Sequence, residues 1–326
     1  MKRFLGRSNI EISGIGMGCW AIGGPFYEGE DDLGWGIVDD NESIRAIHCG
    51  IDLGVNFIDT ADVYGAGHSE RVIARALEGR RQDVVLATKF GIMFDEDTKQ
   101  VKGTNAQAEY IRSACEASLK RLKTDYIDLY QFHLNDYPID DAQIVLVELD
   151  KLVSQGKIRA LAWSTDFADR AESFAASENC IAIQHQINVL DDAPEMIAVC
   201  ESHSLASINR GPLAMGLLTG KYGAISSIGE NDVRGRNSPA WMRYFQDGKP
   251  NSGWLQKMES VKEILTSDGR SLPQGALAWL WGRSENTIPI PGFRNEKQIR
   301  ENAGAMRFGA LQEEQMSEIE LILARV

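Results

Sequence analysis

Eight short apolar segments alternate with segments of helical period along most of the 326 residues. This alternation is typical of successive βα units, in which each helix returns the chain so that the strands run parallel. The strands are predicted at residues 14–18, 55–59, 84–89, 126–132, 158–163, 181–184, 205–209 and 286–290. Eight such units predict an α/β fold, a single (β/α)8 TIM barrel.

An open, doubly wound parallel sheet would show the same alternation. That fold commonly carries glycines at GxGxxG spacing after its first strand. The first strand here contains Gly14, Gly16 and Gly18, which do not have that spacing. We therefore predict a closed barrel made by residues 1–326 as one domain, because barrels with insertions reach this length. A turn at residues 6–8 predicts a short N-terminal β-hairpin.

Two helices illustrate how the barrel wall would be covered. From Asn41, a candidate N-cap, to Leu53, isoleucines recur at helical spacing. A second helix is predicted at about residues 107–122. Its apolar face would comprise Ile111, Ala114, Cys115, Ser118 and Leu122.

Composition narrows the functional classes. The net charge of −13 disfavours a nucleic-acid partner, since phosphates require a basic patch. No apolar run approaches the roughly 18 residues of a membrane span, and glycine and charge appear too early for a signal peptide. The five cysteines lack metal-ligand or CxxC spacing. We expect reduced thiols, no metal site and a cytoplasmic location.

Four ionisable side chains stand at or just past three successive strand ends. Asp59 ends the second predicted strand and Tyr64 follows five residues later; Lys89 ends the third, and His133 follows the fourth. Barrel enzymes assemble their sites from residues of different strands at this end. These four residues are therefore candidate catalytic groups.

The chemistry of the four groups suits the reduction of a carbonyl compound. A tyrosine is a sluggish acid at neutral pH unless its phenolate is stabilised, and a nearby ammonium such as that of Lys89 can do this. A buried Asp59 would keep Lys89 charged and aimed through a charge-assisted hydrogen bond. His133 could donate to the carbonyl oxygen and help to pass the proton to it.

The order and contexts of these residues resemble the aldo-keto reductase family. The resemblance runs from the turn at residues 6–8 to residues 290–294 and 301–302. It implies a barrel that uses NADP to reduce an aldehyde or ketone, or to oxidise an alcohol. By resemblance, Asp59, Tyr64, Lys89 and His133 match the family tetrad one for one.

The resemblance also implies cofactor-binding residues around the nicotinamide. Gln184 matches the family glutamine that binds the nicotinamide amide, and Ser164 fits the serine after the fifth strand. Thr165 replaces the usual asparagine, and Arg210, before Gly211 and Leu213, replaces the usual tyrosine. Arg210 could stack through its guanidinium or pair with pyrophosphate. Trp20 and Asp59 are further candidates.

A second group of candidates would bind the phosphates and the adenosine. Lys221 ends a glycine-containing loop, residues 216–221, that resembles the one folding over the pyrophosphate. The family's adenosine-binding stretch is matched by Gly292, Arg294, Gln298, Glu301 and Asn302. Arg294 is the best candidate for reading a 2′-phosphate, which favours NADP over NAD.

Three long connections follow strand ends: residues 19–40, 91–104 and about 210–255. They carry a large share of the aromatic residues, which either pack as a satellite core or line a substrate pocket, among them Trp20, Phe26, Tyr27, Trp35, Phe94, Trp241, Tyr244, Phe245 and Trp254.

Two other functions fit the same pattern. One is a redox-sensing subunit that binds NADP, and the other is an enzyme of cofactor-assisted sugar epimerisation or dehydration. Fold alone does not separate these functions. The partner expected in each case is a small molecule, and the sequence leaves the substrate and any oligomerisation open.

Overall fold

An eight-stranded parallel sheet that curls into a barrel dominates the computed structural model, which describes residues 1–325. The barrel strands are β1 (Gly16–Gly18), β2 (Phe57–Asp59), β3 (Val85–Phe90), β4 (Ile127–Phe132), β5 (Ile158–Ser164), β6 (Cys180–Gln186), β7 (Ala206–Arg210) and β8 (Thr287–Pro289). Each strand lies beside its neighbours in chain order. A bridge from Gly18 to Gly292 brings β1 next to the residues after β8. The predicted (β/α)8 barrel is confirmed, with strand bounds within a few residues of those expected.

Helices cover the outside of the barrel. They are α1 (Asp40–Asp52), α2 (His68–Ala76), α3 (Ala108–Leu122), α4 (Ile139–Ser154), α5 (Ala168–Ala175), α6 (Pro194–Ser202), α7 (Ser252–Leu265), α8 (Leu272–Arg283), α9 (Glu296–Gly304) and α10 (Glu313–Ile322). The predicted apolar face of α3 is buried. The cap predicted for α1 was wrong: Asp39 Oδ1 accepts from the amides of Asn41 (2.8 Å) and Glu42 (3.2 Å), because the helix begins earlier than expected.

Successive side chains of a strand point to opposite faces, and this separates two cores. Outward residues such as Tyr130, Phe132 and Trp163 pack under the helices. Inward residues are mostly small or aliphatic, among them Val85, Ala87, Leu129, Ala160, Ala162, Ala182, Ala206 and Ile208. Small inward side chains let the interior fill completely, so the barrel is a packed core rather than a channel.

The N-terminal hairpin closes the bottom of the barrel. Strands Lys2–Phe4 and Glu11–Ser13 pair antiparallel, which confirms the predicted hairpin. Leu5 and Ile12 are buried and join the interior cluster from below. The lower end is thereby sealed, and access to the interior is left to the carboxyl ends of the strands.

The three long connections emerge at those carboxyl ends and build small hairpins of their own. The paired strands are Tyr27–Glu28 with Asp31–Asp32, Ile92–Phe94 with Val101–Thr104, and Phe245–Gln246 with Lys249–Pro250. Of the aromatic residues, Tyr244 and Phe245 are buried in the packed core, whereas Trp20, Trp35 and Trp241 line a cavity. Phe26 lies in a small separate cluster of buried residues and also lines the cavity, so the two alternatives are not exclusive, and a substrate-binding role stays a prediction. Trp254 lies in α7 rather than in a loop.

No helix within residues 1–325 is both long and apolar enough to cross a membrane.

Candidate active site

Polar side chains replace aliphatic ones at the last inward position of most barrel strands. Every second residue of a strand points inward, and the inward position that follows the packed interior residues is polar in six strands. These residues are Asp59, Lys89, Gln131, Ser164, Gln184 and Arg210. The ladders place Gln131 opposite Lys89 and Ser164 opposite Gln184. Parallel strands of similar register thus bring these groups together at one end of the barrel.

Lys89 lies at the centre of this polar layer, without solvent exposure. Its Nζ donates to Asp59 Oδ1 (2.6 Å), to the backbone oxygen of Thr60 (2.8 Å) and to the hydroxyl of Tyr64 (3.4 Å). Burial disfavours the charge of Lys89, but Asp59 and Tyr64 outweigh this effect and its pKa lies above the ordinary value. Lys89 is therefore an ammonium directed at the phenol.

Tyr64 is held by the turn that follows β2. Its neighbour Gly65 has φ +62°, and a Cβ there would lie 1.8 Å from the backbone oxygen of Gly23. Only glycine allows this close approach of the two loops. The Tyr64 ring stacks on Trp20, with centroids 5.9 Å apart. The phenol is thus fixed on one side by Trp20 and on the other by Lys89.

Burial and charge act in opposite directions on Tyr64. Burial raises the pKa of Tyr64 above its ordinary value, although the adjacent Lys89 lowers it. The expected stabilisation of the phenolate by Lys89 is present, but burial has the larger effect. Tyr64 consequently carries its proton at neutral pH in the protein described.

His133 follows β4 and faces Tyr64, with ring centroids 6.1 Å apart. Burial, reinforced by the charges of Lys89 and Arg210, holds the pKa of His133 well below its ordinary value. The imidazole is therefore neutral. Its Nδ1 is buried and has no hydrogen-bond partner among residues 1–325.

A cavity of about 850 Å³ opens above these residues and contains most of the candidates predicted from sequence. Its lining includes Trp20, Asp59, Tyr64, His133, Ser164, Gln184, Arg210, Gly211, Leu213, Lys221, Gly292, Arg294, Gln298, Glu301 and Asn302. Lys89 lies beneath the lining.

Thr165 is the one proposed cofactor residue that the structure does not bring to the cavity. It follows Ser164, so the alternation of the strand turns it away, and it is fully buried. Its hydroxyl donates to the backbone oxygen of Asn135 (2.8 Å). The role of Thr165 in cofactor binding stays a prediction, and this contact does not support it.

Arg210 is held in place before any ligand binds. Its guanidinium pairs with Asp166 and donates to Gln186 Oε1 (3.1 Å). Asp166 also accepts from the backbone amide of Gln186 (2.7 Å). This arrangement restricts the arginine to one edge of the cavity.

Arg294 also lines the cavity and contacts the first long connection. Its guanidinium donates to the backbone oxygens of Trp35 (3.0 Å) and Ile37. Its backbone amide donates to Gln298 Oε1 (2.7 Å), while Asn302 donates to the oxygen of Gly292 (3.3 Å). Two of the five donor hydrogens of the guanidinium are thus engaged, and the others remain for a ligand.

A comparison with known families agrees with this geometry. Residues 14–324 match the sequence profile of the Aldo/keto reductase family. The chain belongs to the aldo/keto reductase family. The resemblance inferred from residue order is thereby confirmed. This aldo/keto reductase is an oxidoreductase with a TIM-barrel fold.

Relatives cover nearly the full length of this aldo/keto reductase. YqkF of Bacillus subtilis, described as an oxidoreductase, is 30% identical over 322 residues, which are 98% of this chain and 95% of that protein. Aldo-keto reductase yakc, NADP(+), of Schizosaccharomyces pombe is 30% identical over 308 residues, 92% of this chain and 85% of the relative. The solved structure of a glycerol dehydrogenase from Gluconobacter oxydans superposes with a TM-score of 0.82 at 31% identity, covering 99% and 95% of the two chains.

Two residues of the site, Gln131 and Arg234, were not among those predicted from the sequence. Gln131 donates to Asp59 Oδ2 (2.8 Å) and could have been found by the alternation within β4. Arg234 is buried in the third connection, where it pairs with Asp232 and lies over the ring of Trp35, 4.4 Å from its centroid. Trp241 lies at the mouth of the cavity, 6.2 Å from Trp20 between ring centroids. No pattern in the sequence distinguishes Arg234 from other loop residues, whereas Trp241 was among the aromatic residues named as candidates for a pocket.

Within residues 1–325, no cluster of three or more His, Cys, Asp or Glu is placed to hold a metal ion.

Proposed function

We propose that this aldo/keto reductase uses NADP to reduce an aldehyde or ketone to an alcohol, or catalyses the reverse reaction, with Tyr64 as general acid and base. The observation that carries the proposal is the position of the Tyr64 hydroxyl. It lines the cavity and lies 3.4 Å from the ammonium of Lys89, itself paired with Asp59.

The four tetrad side chains would divide the proton chemistry. The bound cofactor supplies hydride to the carbonyl carbon. Tyr64 donates its proton to the carbonyl oxygen, and Lys89 stabilises the phenolate that remains. Asp59 keeps Lys89 charged and directed. Neutral His133 orients the carbonyl through a ring N–H; in the reverse direction the phenolate accepts the proton.

The cavity fits a dinucleotide phosphate by size and by its polar groups. Arg210, Lys221 and Arg294 are distributed along the lining, and cationic side chains are the usual partners of phosphates. Gln184 and Ser164 would hold the nicotinamide amide, and the stretch from Gly292 to Asn302 would hold the adenosine. Arg294 would read the 2′-phosphate with its free donors. NADP(+) appears in the name of the Schizosaccharomyces pombe relative, which supports this choice.

The substrate end of the cavity is mainly apolar and aromatic. Trp20 stacks on Tyr64 there and lies beside Trp241, and Ile92 and Val101 line the same cavity. We propose a carbonyl compound with an apolar body, because such a wall offers few hydrogen bonds to a polyol.

We also propose that residues 1–326 form one domain acting in the cytoplasm. Small molecules are the proposed partners, without a role for nucleic acid or membrane; oligomerisation stays open.

The test is consumption of NADPH across aldehydes, ketones and sugars, with Tyr64→Phe as the matched control. Consumption that depends on Tyr64 supports the proposal. Tight NADPH binding without turnover of any carbonyl compound would favour a redox-sensing subunit instead. Net conversion of a sugar with the cofactor still oxidised at the end would favour epimerase or dehydratase chemistry.

A further inference from the structure

Gln131 connects Asp59, which pairs with Lys89 in the tetrad, with Gln184, which belongs to the proposed nicotinamide site. Its Nε2 donates to Asp59 Oδ2 (2.8 Å), and its Oε1 accepts from Gln184 Nε2 (3.1 Å). Gln184 Nε2 also donates to Asp59 Oδ2 (2.8 Å). The three side chains close a ring of hydrogen bonds and are almost entirely buried.

The donors and acceptors in this ring admit one orientation of Gln184. An ionised carboxylate can only accept, and a primary amide nitrogen has two N–H groups. Both N–H groups of Gln184 are used, one by Asp59 and one by Gln131. If the amide were reversed, its oxygen would face two other oxygens with no proton between them. Gln184 therefore turns Oε1 towards the cavity that it lines.

Gln131 does not line the cavity. Its own orientation is set by Asp59, which accepts only from its nitrogen, so its oxygen must face Gln184. Asp59 is in turn aligned by Lys89 on its other oxygen. The ion pair thus fixes which atoms of Gln131 donate and which accept, and Gln131 in turn fixes the orientation of the Gln184 amide.

We propose that Gln131 is a positioning residue that fixes Gln184 as a hydrogen-bond acceptor, so that the site beside Gln184 selects a ligand group with an N–H donor. This inference rests on the proposed function, in which that ligand group is the carboxamide of the nicotinamide. Gln131 touches neither the cofactor nor the reacting atoms. Through Gln184, Gln131 makes the protein bind an amide more tightly than a group of the same shape that lacks the N–H.

The experiment compares the binding of NADP⁺ with that of its acetylpyridine analogue, in which a methyl group replaces the amide nitrogen. Both dissociation constants are measured by calorimetry on the full chain. The wild-type protein should prefer NADP⁺ by about tenfold, the scale of one hydrogen bond with an unpaired partner. In Gln131→Met the amide of Gln184 keeps only its bond to Asp59 and loses the second bond that holds it in this orientation, so the preference should fall to about threefold or less.

Two further variants calibrate the result. Gln184→Leu removes the acceptor itself and should abolish the preference. Asn209→Leu also removes a buried strand amide, one that donates to Ser207 instead, and should keep the preference. If Gln131→Met fails to fold in a thermal melt, Gln131→Asn replaces it, since its amide is one methylene too short to reach both partners.

The outcomes separate the two proposals. A wild-type protein that binds neither compound overturns both the use of NADP and the role of Gln131. A wild-type protein that binds both equally, or a folded Gln131 variant that retains the full preference, overturns the role of Gln131 alone. Loss of the preference in Asn209→Leu as well would also overturn it, because any buried amide would then have the same effect.

Discussion

Lys89 and Asp59 form an ion pair, 2.6 Å between Nζ and Oδ1, from which water is almost completely excluded. A buried pair of this kind contributes little net stability, yet removing one partner leaves an uncompensated charge. The pair therefore explains function better than it explains stability.

Lys89→Met should destabilise the protein by about 3–5 kcal/mol, because it removes the cationic partner of the buried Asp59. The double variant Asp59→Asn/Lys89→Met should recover most of that loss and remain inactive. Urea unfolding and turnover of an aldehyde measure the two effects. A double variant no more stable than Lys89→Met would show that the unpaired charge is not the cause.

Tyr64→Phe should lower turnover by ~100-fold or more, since it removes the general acid, while NADPH binding stays close to that of the wild type. The variant loses one hydroxyl from a site that is otherwise intact. Steady-state kinetics and calorimetry provide the measurements. Near-wild-type turnover would remove Tyr64 from the catalytic role.

Carbonyl reduction should be independent of pH across the neutral range. The acid form of Tyr64 is required, its pKa is raised by burial, and the form is lost only as pH rises through that pKa, above the ordinary value of about 10. Because the pKa of His133 is held well below its ordinary value, no titration of this imidazole should appear between pH 6 and 7, roughly the range of a free histidine. A kcat profile that titrates in that range and becomes flat in a His133 variant would contradict this assignment.

Arg210→Met should weaken NADPH binding by about 1–3 kcal/mol, the range for hydrogen bonds to charged groups. Asp166 and Gln186 already hold the guanidinium in place, so little ordering is needed on binding. Arg170→Met is the control, because Arg170 also pairs with an aspartate, Asp136, but does not line the cavity. Equal affinities of the wild type and Arg210→Met would place the guanidinium away from the cofactor.

Trp241→Ala should raise KM for bulky apolar aldehydes and leave KM for small aldehydes nearly unchanged. The indole is 55% exposed at the cavity mouth, so its removal should alter stability by no more than about 0.5 kcal/mol. Ile225→Ala, at a fully exposed loop position away from the cavity, is the control. An equal rise in KM for all substrates would contradict a role in covering the substrate.

The fold was predictable because hydrophobic pattern and strand length are local properties. The same alternation that gave β4 also points Gln131 inward, in line with Leu129 and beside Lys89. Gln131 belongs to no family motif, but its position in the two-residue alternation of β4 was enough to predict that it points inward. Thr165 shows the converse: a match by position in a motif said nothing about the direction of its side chain.

Contacts between segments far apart in the chain could not be predicted from the sequence. Arg294 was expected to face a phosphate, and its donation to the oxygens of Trp35 and Ile37 joins residues more than 250 positions apart. Loop packing of this kind has no periodicity to reveal it. For the same reason the aromatic residues of the three connections could not be divided between core and cavity before their contacts were known.

The bridge between Gly18 and Gly292 also determines when the barrel can form. Gly18 donates its amide to the oxygen of Pro291, and Trp281 donates to the oxygen of Gly14. During synthesis, β1 emerges before the other barrel strands but can find this neighbour only after residue 292 has left the ribosome. Closing so long a loop delays the contact, so until then both edges of the growing sheet stay open and vulnerable to pairing with other chains.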